Sequence, residues 1–304
     1  MNDKYTTSWP GGRRAAAAFT FDVDAESVIL WGAARNAERM SVVSHQAYGP
    51  LVGVPRLLDL LERHRIRSTF FVPGYTVERY PHVIRAIVAA GHEVSHHGYL
   101  HEPPAALSRE QEIEALDRGL DALERTVAVT PVGYRAPMWD LSWRTPELLA
   151  ERGFLYDPSL MDSDIPYELR VDERRSLVEI PIQWALDDWE QYCYLADIAG
   201  SGVIEIPAKA RELWQAEFEA LREVGGCWVL TNHPFLSGRP SRARELGRLM
   251  EHVTSCDDVW VTTLGDIAQH VRGLALSPRS VARPQPERCV RVVNSRTAET
   301  RQLP

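Results

Sequence analysis

Apolar and polar positions along this chain follow two alternating periods. Short, almost continuously apolar runs predict buried strands: "AAAAFTFDVD" (15–24), "STFFV" (68–72), "VGYR" (132–135), "LVEIPI" (177–182), "CWVLTNH" (227–233) and "VWVTT" (259–263). Between them, apolar residues recur three and four apart, the period of a helix with one buried face. "PRLLDLLERH" (55–64) has that spacing, and "PHVIRAIVAAG" (81–91) adds Pro at its start and Gly at its end. "SREQEIEALDRGLDALERTV" (108–127) opens with a capping box, Ser108 and Gln111, and lines up Ile113, Leu116, Leu120 and Leu123. "TPELLAERG" (145–153) reads as a helix capped by Thr145, with Pro146 at its first position. Trp214, Phe218 and Leu221 stripe another helix, Ser241 begins a further one, and "LGDIAQHV" is the last. Repeated strand–helix units imply an α/β fold on a parallel sheet, closed or nearly so.

Length and charge narrow this. At 304 residues with 44% hydrophobic content, the chain suits a single α/β barrel, typically about 250 residues. One catalytic domain is expected over 1–274, followed by a polar, Pro- and Arg-rich flexible tail over 275–304. The net charge of −8 argues against a nucleic-acid or anionic-membrane partner. No apolar run reaches the roughly 18 residues of a membrane span. The start, "MNDKYTTSWPGGRR", lacks the apolar core and cleavage site of a secretory signal, so a cytoplasmic location is expected. Cys193, Cys227, Cys256 and Cys289 lie far apart without a C-x-x-C pair and read as reduced thiols.

The stretch "AAGHEVSHHGYLHEPP" (89–104) holds two overlapping metal patterns. His92 to His96 spells H-E-x-x-H, which grips zinc only on a helix, where residues four apart share a face. Here Gly91 has just ended a helix, so His92–Ser95 is expected to be a strand whose side chains alternate. That defeats the peptidase reading. His97 and His101 follow the strand's C-terminal end, where α/β folds keep their sites, with Gly98 between them to turn the chain.

"FTFDVDAE" brings Asp22 and Asp24 to one face of a strand end, two like charges that call for a cation or a proton. Two histidines and a carboxylate make a common catalytic zinc set, and the spare aspartate is placed to be the base. Three further strand ends carry partners. "GYRAPMW" puts Arg135 where it could pair with Asp22 and hold its orientation. "VLTNHP" ends a buried strand in His233, a residue type suited to a general acid. "WALDDW" offers Asp187 or Asp188 to the second ring nitrogen of His233.

"TFDVD", "HHGYLH", "YRAPMW", "IPIQWALDDW" and "LTNHP", in that order over roughly residues 14–272, resemble the polysaccharide deacetylase superfamily (NodB homology, carbohydrate esterase family four). The resemblance implies a distorted (β/α) barrel with a divalent metal, usually zinc, on Asp24, His97 and His101. It also implies Asp22 as base, His233 as general acid and Arg135 as tuner of the base. The chain departs from the family's usual adjacent aspartates, since Val23 separates the two. Its "DVDAE" form resembles a branch that includes peptidoglycan-deacetylase-like proteins, allantoinase-like hydrolases and cyclic imide hydrolases. That branch implies a homo-oligomer, dimer or tetramer, in which a segment such as 27–50 covers a neighbour's pocket. The expected reaction is metal-assisted hydrolysis of a non-peptide C–N bond, removing N-acetyl groups from an amino sugar or oligosaccharide. The alternative is ring opening of a small cyclic imide or ureide. Fe(II) oxygen chemistry would leave the aspartate pair and His233 without roles, and an inactive sugar-binding relative is at odds with the intact set.

Overall fold

The computed structural model describes residues 9–200 and 202–285. The N-terminal stretch 1–8, Cys289 and the tail beyond 285 lie outside the described residues. Among the described residues there are ten strands: β1 Ala15–Asp22, β2 Thr69–Val72, β3 Glu93–His96, β4 Tyr156–Asp157, β5 Tyr167–Arg170, β6 Ser176–Glu179, β7 Tyr194–Leu195, β8 Ala199–Gly200, β9 Cys227–Asn232 and β10 Val259–Val261.

β1 is the centre. It pairs in parallel with β9 along one edge, and with β10 and then β2 along the other, while β2 passes the pairing on to β3. Single parallel bridges extend it, from β3 through Tyr134 and Gly133 to β4, and from β9 to Asp187. β4 pairs in parallel with β6, and β6 with β5 antiparallel. The result is a distorted (β/α) barrel wrapped by helices.

Period-2 alternation along β1 explains where the site must lie. Ala15, Ala17, Phe19 and Phe21 pack outward among helix residues such as Leu57, Leu61, Phe218 and Leu246. Ala16 and Ala18 pack inward against Phe71, Val178, Ile180 and Val229. Thr20 and Asp22 continue that inward row, so the strand's acid reaches the barrel's interior face at its C-terminal end. The small alanines below it let the facing side chains close the interior to water.

Most expected elements stand within a residue or two of their predicted bounds, including the helix Arg109–Val127 with its Ser108–Gln111 capping box. Two readings are corrected. The strand expected over 132–135 is reduced to bridges at Gly133 and Tyr134, because the chain leaves the sheet at Arg135. Thr145 is the first residue of the helix Thr145–Glu151, and Ser142 takes the capping role, its Oγ accepting from the Arg144 and Thr145 amides at 3.1 Å each. Within the expected tail, Arg279 pairs with Leu169 of β5 and exchanges backbone hydrogen bonds with Glu168 and Arg170. The segment 27–50 folds into the short helices Ser27–Leu30, Ala34–Glu38 and Met40–Tyr48. Among the described residues no helix is long and apolar enough to cross a membrane.

Gly119, in the helix Arg109–Val127, holds a contact that positions the histidine segment. A Cβ there would lie 2.8 Å from the Gly98 carbonyl and nearer still to His96 Nε2. Both are fixed, since the His96 ring is bonded to Leu116 O (3.0 Å) and Gly98 N (3.1 Å). Gly119→Ala is therefore expected to destabilise the fold by about 1–3 kcal/mol, read as a lower urea midpoint.

Candidate active site

The barrel's C-terminal end gathers the candidates around one point. Asp24 follows β1 and is anchored by its own carbonyl, which accepts from Ser27 Oγ (2.7 Å) and Thr76 Oγ1 (2.8 Å). Its side chain is fully buried, and neither carboxylate oxygen has a hydrogen-bond donor. Three imidazole nitrogens face it instead: His97 Nε2 at 3.5 Å, and His101 Nε2 and His233 Nε2 at 3.6 Å each.

His97 and His101 reach this point because the chain turns sharply after β3. Gly98 has φ +71° and His101 φ +62°, left-handed conformations that fold the loop back on itself. His97 Nδ1 lies 2.8 Å from the Arg135 carbonyl. A carbonyl only accepts, so Nδ1 carries the proton and Nε2 presents its lone pair to Asp24. Burial lowers the His97 pKa to about 3 and holds His101 well below the ordinary value. Both rings are thus neutral near pH 7, the form that ligates metal. The same burial, with Asp22 and Asp188 adding to it and His233 opposing, raises Asp24 to about 7. A dry carboxylate without donors, faced by two neutral imidazoles, fits a divalent cation of the zinc type. Asp24, His97 and His101 lie close enough to ligate one ion.

Asp22 has a different environment. Arg135 Nη1 donates to Asp22 Oδ1 at 2.7 Å and to Thr20 Oγ1 at 3.0 Å, with its guanidinium 4.1 Å above the Phe71 ring. The other carboxylate oxygen, Oδ2, lies 3.9 Å from His97 Nε2. The two aspartates are set in different surroundings by this single ion pair: Asp24 faces imidazoles and Asp22 faces arginine.

Of the two acids offered to His233, Asp188 is the partner. Its Oδ1 accepts from the His233 backbone N–H (2.9 Å) and lies 2.7 Å from Nδ1, whereas Asp187 Oδ1 is 3.5 Å away and caps the Trp189 N–H (2.8 Å). Ser237 Oγ holds the second oxygen of Asp188. Burial alone would lower the His233 pKa, yet Asp187, Asp188 and Asp24 together outweigh it and raise it to about 10. Its ring is therefore a cation near neutrality, with Nε2 aimed at the site.

A cavity of about 90 Å³ opens over this cluster. Its walls include residues with no role in the sequence reading: Met138, and Trp139 stacked on Trp184 at 4.4 Å, and Trp189 edge-on to His233 at 5.2 Å. The available signal was their adjacency to the motifs, in "APMW" and "QWALDDW", but indole rings at strand ends also serve plain packing.

The H-E-x-x-H residues are dispersed, as the strand expectation requires. His92 Nδ1 accepts from the Ser68 N–H (3.2 Å), and His96 is bonded as described above. Glu93 accepts from Thr69 Oγ1 (2.7 Å), Tyr156 OH (2.9 Å) and the Gly265 N–H (2.9 Å), stitching β2, β4 and the last helix together. A further cluster, Glu219, His252 and Cys256, is satisfied internally: His252 Nε2 lies 2.6 Å from Glu219, whose other oxygen takes Arg222. Cys193, Cys227 and Cys256 are free thiols.

With this geometry in view, the chain can be set beside known proteins. A profile of the polysaccharide deacetylase family matches residues 39–156. A peptidoglycan deacetylase of Helicobacter pylori is 31% identical over 274 residues, 82% of this chain and 94% of that one. A crystal structure of a Mycobacterium smegmatis protein named as a polysaccharide deacetylase is 58% identical and superposes with a TM-score of 0.91, covering 92% of this chain and 98% of that one. The PuuE allantoinase structure is 27% identical with a TM-score of 0.76, over 87% of this chain and 92% of that one. The extent of the match to the Helicobacter pylori protein, over most of both chains, makes this chain a member of the polysaccharide deacetylase family, hydrolases of carbon–nitrogen bonds other than peptide bonds.

Proposed function

We propose that this protein removes N-acetyl groups from an amino sugar or glycan, with a divalent ion, zinc by preference, held by Asp24, His97 and His101. The observation that carries the reading is the Asp24 carboxylate, buried without a donor and ringed by imidazole nitrogens at 3.5–3.6 Å. An ion held there supplies Lewis acidity, bringing a bound water's pKa toward neutrality and polarising a carbonyl.

The chain's own residues do the rest. Asp22 Oδ2, the oxygen left over from the Arg135 ion pair, takes the proton of the attacking water. Arg135 keeps that carboxylate from turning away. As the C–N bond breaks, His233 Nε2 gives its proton to the leaving nitrogen, and Asp188 stabilises the ring as a cation before the transfer. Water and amide are consumed; acetate and amine result. Trp139, Trp184 and Trp189 line the mouth and limit bulk water.

A second reading is favoured by one feature. The cavity of about 90 Å³ suits a compact group better than a polymer, and the PuuE allantoinase superposes closely. Ring opening of a cyclic imide or ureide would use the same water, base and acid. Self-association belongs with either reading: Met40, within the 27–50 segment, and Leu51, just after it, are 84% and 55% exposed, apolar surface that a second subunit would cover.

Mass spectrometry of zinc-loaded protein with a mixed panel tests the choice. N-acetylated oligosaccharides are expected to lose acetyl groups. Unchanged sugars together with a gain of one water on hydantoins, imides or allantoin would replace the deacetylase reading with the ring-opening one.

A further inference from the structure

Behind the site lie two buried acids that the reaction does not use. Asp157 of β4 and Glu179 of β6 are register partners in adjacent parallel strands, so their side chains stand on the same face. Their outer oxygens are well supplied. Asp157 Oδ1 accepts from Ser159 Oγ (2.8 Å), and Glu179 Oε1 accepts from the Ser159 and Leu160 amides (3.2 and 2.8 Å). Their remaining oxygens, Asp157 Oδ2 and Glu179 Oε2, are buried without any donor, on the face that the two side chains share. Two carboxylates can hydrogen-bond only if a proton lies between them.

The pair is wired to the candidate metal ligand. Ser159 Oγ, donating to Asp157, accepts the Ala136 N–H at 2.9 Å. The carbonyl of that same peptide group belongs to Arg135 and accepts from His97 Nδ1 at 2.8 Å. One peptide plane thus links an anion at its N–H end to an imidazole at its C=O end. We propose that Asp157 and Glu179 share one proton and act as positioning residues for His97, through Ser159 and the Arg135–Ala136 peptide. The negative charge at Asp157 polarises this chain of bonds, strengthening the carbonyl as an acceptor and His97 Nε2 as a ligand. This inference rests on the assignment of His97 as a metal ligand.

Glu179 is the partner that keeps the proton, since the Arg135 cation favours the Asp157 anion. Burial pushes Glu179 well above the ordinary value of 4.5 and Asp157 to about 7. The charged and titratable groups facing the pair are Arg135, which favours the Asp157 anion, Tyr134 beside Asp157 and Tyr167 beside Glu179. A folded pKa above the unfolded one makes stability fall as pH rises from the ordinary value toward the raised one.

Two measurements on the whole protein test this: zinc affinity by chelator competition, and stability as a function of pH by urea denaturation. Glu179→Gln donates to Asp157 permanently. It is expected to keep wild-type zinc affinity and to lose part of the decline in stability between about pH 4.5 and 7. Ser159→Ala cuts the link and is expected to keep that decline while binding zinc up to about tenfold more weakly. Direct partners of a ligating histidine typically cost roughly 10–100-fold, and this one is a step further out. Should Ser159→Ala fail to fold, Asp157→Asn keeps the shape and is expected to weaken zinc binding in the same direction. Wild-type zinc affinity in Ser159→Ala or Asp157→Asn, or an unaltered pH slope in Glu179→Gln, overturns the proposal. A wild-type protein that binds no zinc overturns the ligand assignment and the relay with it, whereas unchanged affinity in Ser159→Ala and Asp157→Asn of a zinc-binding wild type overturns the relay alone.

Discussion

His97→Ala protein is expected to come through zinc loading and gel filtration with almost no bound zinc and no hydrolytic activity, while His92→Ala retains both. The two histidines lie five residues apart in one segment, yet their environments are opposite. His97 Nε2 faces the bare Asp24 carboxylate at 3.5 Å, and its other nitrogen is fixed by the Arg135 carbonyl. Removing it leaves one imidazole and one carboxylate from the ligand set, and leaves the Asp24 charge buried with less compensation. His92 instead accepts from the Ser68 N–H on the far side of the sheet. Its loss leaves that amide without an acceptor, a cost of about 1–3 kcal/mol in stability with no path to the site. Metal analysis beside a urea melt separates the two effects. Wild-type zinc content in folded His97→Ala would remove the ligand assignment.

The second large effect concerns proton delivery. His233→Gln is expected to keep its zinc and to lose about 10²–10⁴-fold in kcat, the range for a missing general acid. His233 is held by Asp188 through both its backbone N–H and its ring, so its geometry does not depend on the ion. In the wild type, kcat/KM should fall on the alkaline side as the ring loses its proton, a pKa raised to about 10 by Asp187, Asp188 and Asp24 against the opposing pull of burial. A cation beside Asp24 offsets that carboxylate and brings the limb toward neutral pH. The stability linkage has the same sign. Because the folded value exceeds the ordinary 6.5, the His233–Asp188 pair stabilises fully below about pH 6.5 and fades as pH rises toward 10. His233→Gln should lack both the alkaline limb in rate and this slope in stability. A variant with near wild-type kcat would pass the acid role to another group.

Much of this was legible locally. Strand and helix periods, the Ser108–Gln111 box, the Gly91 stop and the i, i+2 placement of Asp22 and Asp24 are consequences of neighbours in sequence, and each stands in the fold. So does the dispersal of the H-E-x-x-H residues along a strand, because the strand alternation that separates them is itself a local property. The two misplaced readings, the strand at 132–135 and the cap at Thr145, were local as well. In each, a neighbouring residue competed for the same role: Arg135 leaving the sheet for Asp22, and Ser142 reaching the amides first.

What only the tertiary structure decided is which distant groups share a dielectric. Arg135 and Asp22 are 113 residues apart, and their pairing, offered by the motifs, becomes a 2.7 Å contact only through the winding of the strands between them. Asp187 and Asp188 are adjacent in sequence, but backbone direction after the bridge to Thr231 aims one at His233 and the other at the Trp189 amide. Asp157 and Glu179 gave no signal at all, since their meaning comes from register pairing and from burial. Periodicity is written into a sequence because hydrogen bonds to near neighbours impose it. Charge pairing across a barrel is set by how the strands wind, and by how completely their side chains exclude water.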